Sequence, residues 1–362
     1  MALRIAKDRP LPIGVDLGTA TVKMAQLRIT EQSVELLAAN AAEIPLSCRK
    51  DLSQRMDFLA QTIPGMLRSW QFKGRSCILA IPAASTFVQH VKMPKLPPAE
   101  MDKALKVELH GKLPYPTEDA VIRHIVAGDI YVEGEPRQEV VVIASSRATV
   151  EAYLDMAKRA KLDVNGMNIE CCAIVECFAR LFKRSTDASR VTLYIDIGAA
   201  STQVVLSHGD RVAFARNLAR GGEQLDQAVS AGLSIAPEQA GAMRRDLAKA
   251  NSTGGAEDEL YRLLEEPLDA LALEVTQCLR YYESVFRNSG IERAIFLGGQ
   301  AHDKRLCQLL AKRINLPAQV GDPLVRVKRI GGAGLSEGLD RREPQPNWAV
   351  AVGLSLGAQW AA

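Results

Sequence analysis

At 362 residues the chain exceeds the roughly 250–300 residues at which single hydrophobic cores stop growing, so two domains are expected. Its 45 basic and 42 acidic residues leave a net charge of only +3, and their interspersion excludes the basic, aromatic-studded stripe of a nucleic-acid binder. No window approaches the ~20 apolar residues of a membrane span, and the charged N-terminus lacks an apolar run fit for a signal peptide.

The first strand runs from Ile13 to Val15 and ends in Asp16, with Gly18, Thr19 and Thr21 in the turn before a second strand from Val22. A turn so rich in Gly, Thr and Ala leaves backbone N–H groups uncovered for phosphate oxygens, while Asp16 faces a hydrated cation. Ser33–Ile44 supplies a third strand. Asp51–Trp70 has helical spacing interrupted by Pro64 and Gly65, and Cys77–Pro82 is an apolar run suited to a sheet covered on both faces.

A small module follows in β-α-β-β order: a strand over Thr86–Met93, a helix over Glu100–His110, and strands over Ala120–Tyr131 and Glu139–Ser145. Exposed strand edges suit it to docking another chain, and a mere capping insertion is the alternative. Arg147–Ala160 is read as a helix, Leu162–Ile169 as a strand and Cys172–Phe182 as a connecting helix. Leu193–Val205 then repeats the opening construction around Asp196, Gly198, Ala199, Ser201 and Thr202. Asp196 lies 196 − 16 = 180 positions after Asp16, about half the chain, which suggests a duplicated domain.

Gly221 and Gly222, before a helix, permit close approach of a ligand to its N-terminus. Ile235–Lys249 is a helix, Asn251–Glu257 a surface loop, and Leu260–Ser289 one long amphipathic helix. Arg293–Leu297 is a strand, Gly298-Gly299-Gln300-Ala301 a tight turn, Asp303–Ile314 a helix, and Trp348–Trp360 a buried apolar helix. The seven cysteines have no framework spacing, and reduced buried thiols are the expectation. Cys171, Cys172 and Cys177 read as core packing rather than metal ligands.

Asp16-Leu17-Gly18-Thr19, Asp196-Ile197-Gly198-Ala199-Ala200-Ser201-Thr202 and Leu297-Gly298-Gly299, in this order and spacing, resemble the two phosphate hairpins and the adenosine turn of the actin-like ATPase superfamily. The position of the small module, with Phe87–Pro97, Leu113-Pro114-Tyr115-Pro116, Arg220–Leu225 and Gly321-Asp322-Pro323, is similar to the PilM family of its FtsA-like branch. The resemblance implies an α/β fold: two duplicated ribonuclease-H-like domains with an FtsA/PilM-type inserted α+β subdomain. The divisions it suggests are residues 1–84 and 146–189 for the first domain and connecting helix, 85–145 for the inserted subdomain, 190–345 for the second domain, and 346–362 for a closing helix.

The resemblance also implies ATP and Mg²⁺ as cofactors. Asp16 and Asp196 would hold Mg²⁺ through its waters, and Gly18, Thr19, Thr21, Gly198, Ala199, Ser201 and Thr202 would bind phosphates from two sides. Lys23 would neutralise phosphate charge, with a surface strand lysine as the alternative. Gly221, Gly222, Gln224 and Arg244 would approach the ribose, and Gly298, Gly299, Gln300 and His302 the adenine. Glu170 would orient an attacking water. Three departures stand out: Gly241 and Arg244 replace a Glu and a Lys of relatives, Gln300 replaces a small residue, and Cys171 replaces a Pro.

The family likeness implies a cytoplasmic, nucleotide-switched scaffold for type IV pilus assembly or the related type II secretion, peripheral at the inner membrane. Its partner would be the cytoplasmic N-terminal tail of a PilN-like inner-membrane protein, with self-association possible and neither nucleic acid nor direct membrane insertion expected. An FtsA-like filament protein, a small-molecule kinase on the same fold and a nucleotide-free descendant stand as alternatives.

Overall fold

The computed structural model describes residues 9–69, 71–181, 190–250, 255–286, 290–329 and 343–357. Expectations at Trp70, at residues 182–189, at 251–254 of the surface loop, at the 287–289 end of the long helix and at 358–360 of the closing helix lie outside them.

The first domain opens with a meander, β1 (Ile13–Leu17), β2 (Thr21–Ile29) and β3 (Val34–Glu43), followed by a short α1 (Leu46–Arg49), α2 (Leu52–Ser69) and β4 (Ser76–Ile81). β1 is buried throughout and β4 nearly so, as an inner strand covered on both faces must be. α2 runs unbroken through Pro64, against the expectation of an interruption there. A proline inside a helix costs about 3 kcal/mol, whereas burying a large apolar side chain contributes roughly 1.5–3 kcal/mol. With Met56, Leu59, Ile63 and Leu67 all buried on one face, packing outweighs the breaker.

The inserted module contains β5 (Phe87–Pro94), α3 (Pro98–Glu108), β6 (Ala120–Val132) and β7 (Glu135–Ser146), paired in the order β5-β7-β6. The β6–β7 hairpin turns on Glu133 and Gly134 alone, both at positive φ, so β7 starts earlier than the expected Glu139. Val91, Met93, Val140 and Val142 on one sheet face pack against Met101, Leu105 and Leu109 from α3 and its C-terminal end.

α4 (Arg147–Arg159) follows directly, started by the Ser146 hydroxyl accepting from the Thr149 amide. β8 (Asp163–Ile169) completes the sheet, and α5 (Glu170–Ala179) crosses to the second domain.

The second domain repeats the plan with β9 (Val191–Ile197), β10 (Thr202–His208), β11 (Arg211–Leu218), α6 (Gly222–Leu233), α7 (Pro237–Ala250), α8 (Gly255–Leu263), α9 (Glu265–Val285), β12 (Ile291–Leu297), α10 (Lys304–Ile314) and β13 (Ala318–Val320). The expected single helix over Leu260–Ser289 is two helices that part at Leu264. Pro267 has no N–H for the Leu263 carbonyl and its ring would clash there, so the helix restarts, and Leu268 donates to the Leu264 carbonyl.

Sheet order makes the duplication explicit: β3-β2-β1-β4-β8 in one domain matches β11-β10-β9-β12-β13 in the other, with β14 (Val327–Arg329) added beside β3. α11 (Ala349–Gly357), buried except at its last residue, wedges between α5 and β1. Its approach depends on two glycines: a Cβ on Gly353 would stand 1.8 Å from the Ala173 carbonyl, and one on Gly14 2.0 Å from the Ala351 carbonyl.

Candidate functional site

The β1–β2 and β9–β10 turns face each other across a cleft of about 790 Å³ between the two domains. Each turn closes on a glycine next to a carbonyl three residues on: a Cβ would lie 3.0 Å from the Thr21 oxygen at Gly18, and 3.0 Å from the Ser201 oxygen at Gly198. Gly298 ends β12 at φ +84°, where a Cβ would meet the Asp196 carboxylate at 2.3 Å. Only glycine fits a backbone so turned and so close.

Of the residues singled out in the sequence, the cleft wall gathers Asp16, Gly18, Thr19, Thr21, Lys23, Glu170, Asp196, Gly198, Ala199, Ser201, Gly222, Arg244, Gly298, Gly299, Gln300 and His302. Three others stand behind it. The Thr202 hydroxyl, fully buried, donates to the Arg220 carbonyl at 2.7 Å. Gln224 folds back on its own helix, its Oε1 accepting from the Gly221 amide. Gly221 serves by its smallness, since a Cβ there would strike the Ala199 carbonyl at 2.6 Å.

Lys23 is no surface lysine: its ammonium lies 3.5 Å from the Asp16 carboxylate, both side chains largely buried. The Arg244 guanidinium is committed to its neighbours, donating to Asp226 at 2.6 Å and to Gln300 Oε1 at 2.8 Å. Gln300 in turn lies over Gly222, where a Cβ would come 2.3 Å from its Nε2. His302 Nε2 sits 3.2 Å from Asn347 Oδ1 at the exposed rim.

Some functional neighbours carry no local signal in the sequence. The Gln203 amide donates to Glu170. Arg49 of α1 reaches across the cleft mouth to Glu223 of α6 at 3.8 Å. These pairs join segments far apart in the chain, so no local pattern announces them.

The cleft is electrostatically unbalanced. Burial, then the fields of Asp16 and Asp196, lift the Glu170 carboxyl well above its ordinary range. Burial and Asp16 push Asp196 up to about 7, and burial raises Asp16 against the opposing pull of Lys23. Opposed carboxylates of this kind fit a divalent cation, which would offset their mutual repulsion. No cluster of three His, Cys, Asp or Glu side chains able to hold a metal directly occurs among the described residues. Asp16 and Asp196 would suit Mg²⁺, an ion that keeps several waters and takes its remaining contacts from phosphates. The cysteines are free and mostly buried.

Among solved structures, the PilM-PilN type IV pilus biogenesis complex is similar with a TM-score of 0.78 at 21% identity, covering 96% of this chain and 98% of that one. The ethanolamine utilization protein EutJ from Carboxydothermus hydrogenoformans gives 0.57 at 12% identity, covering 96% and 90%. MreB5 of Spiroplasma citri bound to ADP gives 0.53 at 13%, covering 97% of both chains. These likenesses establish the actin-like ATPase fold. No helix among the described residues is long and apolar enough to cross a membrane. Residues 14–359, nearly the whole chain, match the family of the type IV pilus assembly protein PilM, and the chain belongs to that family.

Proposed function

We propose that this chain is an ATP-binding cytoplasmic scaffold whose inserted subdomain grips the N-terminal tail of a PilN-like inner-membrane protein, and whose nucleotide state biases that grip. The observation that carries the reading is the root of the subdomain. Ala83, just before β5, lines the cleft and its backbone bonds to Glu170. Its carbonyl also accepts from Asn217 of β11 in the second domain at 2.8 Å. A change in cleft closure would therefore act on the stem of the docking module through direct hydrogen bonds, the coupling that a nucleotide switch between two states needs.

ATP would sit with its phosphates between the Gly18–Thr21 and Gly198–Ser201 turns and its adenosine against Gly298 and Gly299. Mg²⁺, held through water by Asp16 and Asp196, would supply charge compensation for the phosphates. Glu170, oriented by the Gln203 amide, is the group placed to position a water, which supports binding with slow hydrolysis. The tail would engage the module formed by Thr86–Met93 and Glu100–His110, where Val107 stands 77% exposed on α3. The PilM-PilN complex named above supports this partner class, and attachment through such a partner would hold the protein at the inner membrane.

The test is a titration of a fluorescent ATP analogue with Mg²⁺ against the native chain, Asp16→Ala and Asp196→Ala. Binding weakened about tenfold or more by each substitution, equivalent to about 1.4 kcal/mol, is expected. A tail peptide of a PilN-like protein should then bind with an affinity that changes between nucleotide-free and ATP-loaded protein. Native protein that does not bind ATP ends the nucleotide reading, and peptide affinity indifferent to ATP ends the switch.

A further inference from the structure

The two phosphate hairpins are held from behind by different devices at equivalent atoms. In the second domain, the Gly198 and Ala199 carbonyls accept from the Gly222 and Glu223 amides at 2.9 and 2.8 Å. These are the first N–H groups of α6, which have no partner within their own helix. Gly18 and Thr19 occupy the same two places after Asp16. Among the described residues no helix start donates to their carbonyls. Instead the Arg55 guanidinium of α2 donates to the Gly18 carbonyl at 2.6 Å and the Thr19 carbonyl at 2.9 Å, and also to the Leu17 carbonyl at 2.7 Å.

Arg55 is only 4% exposed, and no carboxylate pairs with it among the described residues. Burying a guanidinium carries a large desolvation cost, set here against its hydrogen bonds and the field it shares with the Asp16 carboxyl. The Arg55 Nε donates to the Tyr153 hydroxyl of α4 at 3.3 Å. Tyr153 is itself buried and hydrogen-bonded to the Ser85 hydroxyl at the root of the inserted subdomain.

We propose that Arg55 is the positioning residue of the first phosphate site, standing in for the helix N-terminus that supports the second. By fixing three consecutive carbonyls on the rear of the turn, it fixes the orientation of the peptide units that follow them, and hence where their N–H groups point in the cleft. Its charge also adds a positive potential behind the turn, one that the Asp16 carboxyl feels, as a helix start does. The planar five-donor fork suits this task, and a lysine ammonium in the same space cannot hold the same spread of acceptors. The inference rests on the ATP-binding reading and concerns only the phosphate end of the ligand.

The experiment compares ATP·Mg²⁺, ADP·Mg²⁺ and adenosine binding by calorimetry in the full chain, for the native protein, Arg55→Lys and Tyr153→Phe. Hydrogen exchange of the residue 18–21 amides is measured without ligand. Arg55→Lys should weaken ATP and ADP by about tenfold or more, the effect of losing hydrogen bonds to a charged donor, while adenosine, held on the far side at Gly298, changes less than about twofold. Tyr153→Phe, which removes one hydroxyl without changing shape, should weaken ATP by about threefold with the same phosphate dependence. The hairpin amides should exchange faster in both variants.

Equal losses for ATP and adenosine would mean a general packing role and overturn the proposal. Unchanged ATP binding in Arg55→Lys overturns it as well, and leaves the ATP reading standing. If Arg55→Lys does not fold, Tyr153→Phe decides: a phosphate-dependent loss supports the proposal, and native-like ATP affinity with native-like hairpin exchange overturns it. Native protein that binds no ATP removes both readings together.

Discussion

The Tyr281 hydroxyl of α9 donates to Glu139 of β7 at 2.7 Å, joining the second domain to the inserted subdomain across 142 positions of sequence. The Glu139 carboxylate, with no solvent exposure, also meets His90 Nδ1 at 2.9 Å, and the His90 ring stacks on Phe214 at 4.5 Å. Hydrogen bonds to a charged group contribute about 1.5–3 kcal/mol, and burying one without its partners costs more. Tyr281→Phe should therefore lower unfolding free energy by about 1–3 kcal/mol and speed amide exchange in β5 and β7 before the rest of the protein. Urea titration and exchange mass spectrometry read both, and a variant as stable as the native chain would show that the link contributes nothing.

Gly298 and Gly299 are neighbours with opposite tolerance. At Gly298, a Cβ adds strain at φ +84° to a 2.3 Å clash with Asp196, whereas at Gly299 nothing lies within 4 Å. Strained backbone of this kind costs on the order of 1–3 kcal/mol for a side-chain-bearing residue. Thermal unfolding should place Gly298→Ala well below the native protein and Gly299→Ala close to it. Equal losses at both would contradict the geometry.

His208 predicts a pH dependence remote from the cleft. Burial, then the nearby Arg211, hold its imidazole below the ordinary value of 6.5, and its Nε2 bonds the Tyr282 hydroxyl. Arg211 and Asp210 from its own hairpin, Tyr282 from α9 and Asp129 from β6, which lines the same hollow, are titratable or charged groups around it. Between pH 6.5 and the lower folded value, the unfolded chain binds a proton that the folded chain does not. This contribution to stability is complete above that window and is lost as pH falls through it. His208→Gln, which keeps a partner for Tyr282, should lose less melting temperature than the native chain between pH 7.5 and 5.5. Parallel profiles would rule the contribution out.

Gly65 stands inside α2 with nothing within 4 Å of an added Cβ. Alanine is preferred over glycine in a helix interior by about 0.5–1 kcal/mol, so Gly65→Ala should raise stability by about that amount in urea. A loss instead would mean that Pro64 imposes a distortion there that alanine cannot follow.

The fold class and the family were legible in the sequence, and so were the turns after Asp16 and Asp196 and the Gly298-Gly299 turn as backbone features. Each depends on short-range rules: an apolar strand, an acidic residue, then small residues that permit a tight backbone. Their spacing of 180 positions exposed the duplication. Helix continuity was less legible, because Pro64 is overruled by the apolar face that α2 buries and Pro267 is not overruled where α8 meets α9.

What tertiary structure alone decided is which side chains meet behind and across the turns. Arg55 beneath Gly18, Gln203 on Glu170, Arg49 opposite Glu223 and Tyr281 on Glu139 join residues 33 to 174 positions apart. Arg55 reads locally as one more charged residue of an amphipathic helix. Its role exists because α2 packs with that residue toward the back of the β1–β2 turn, where it donates to the Leu17, Gly18 and Thr19 carbonyls. Local backbone geometry is fixed by neighbours in the chain, whereas the partners of a buried polar group are fixed by packing, and only the folded arrangement brings them within a hydrogen bond.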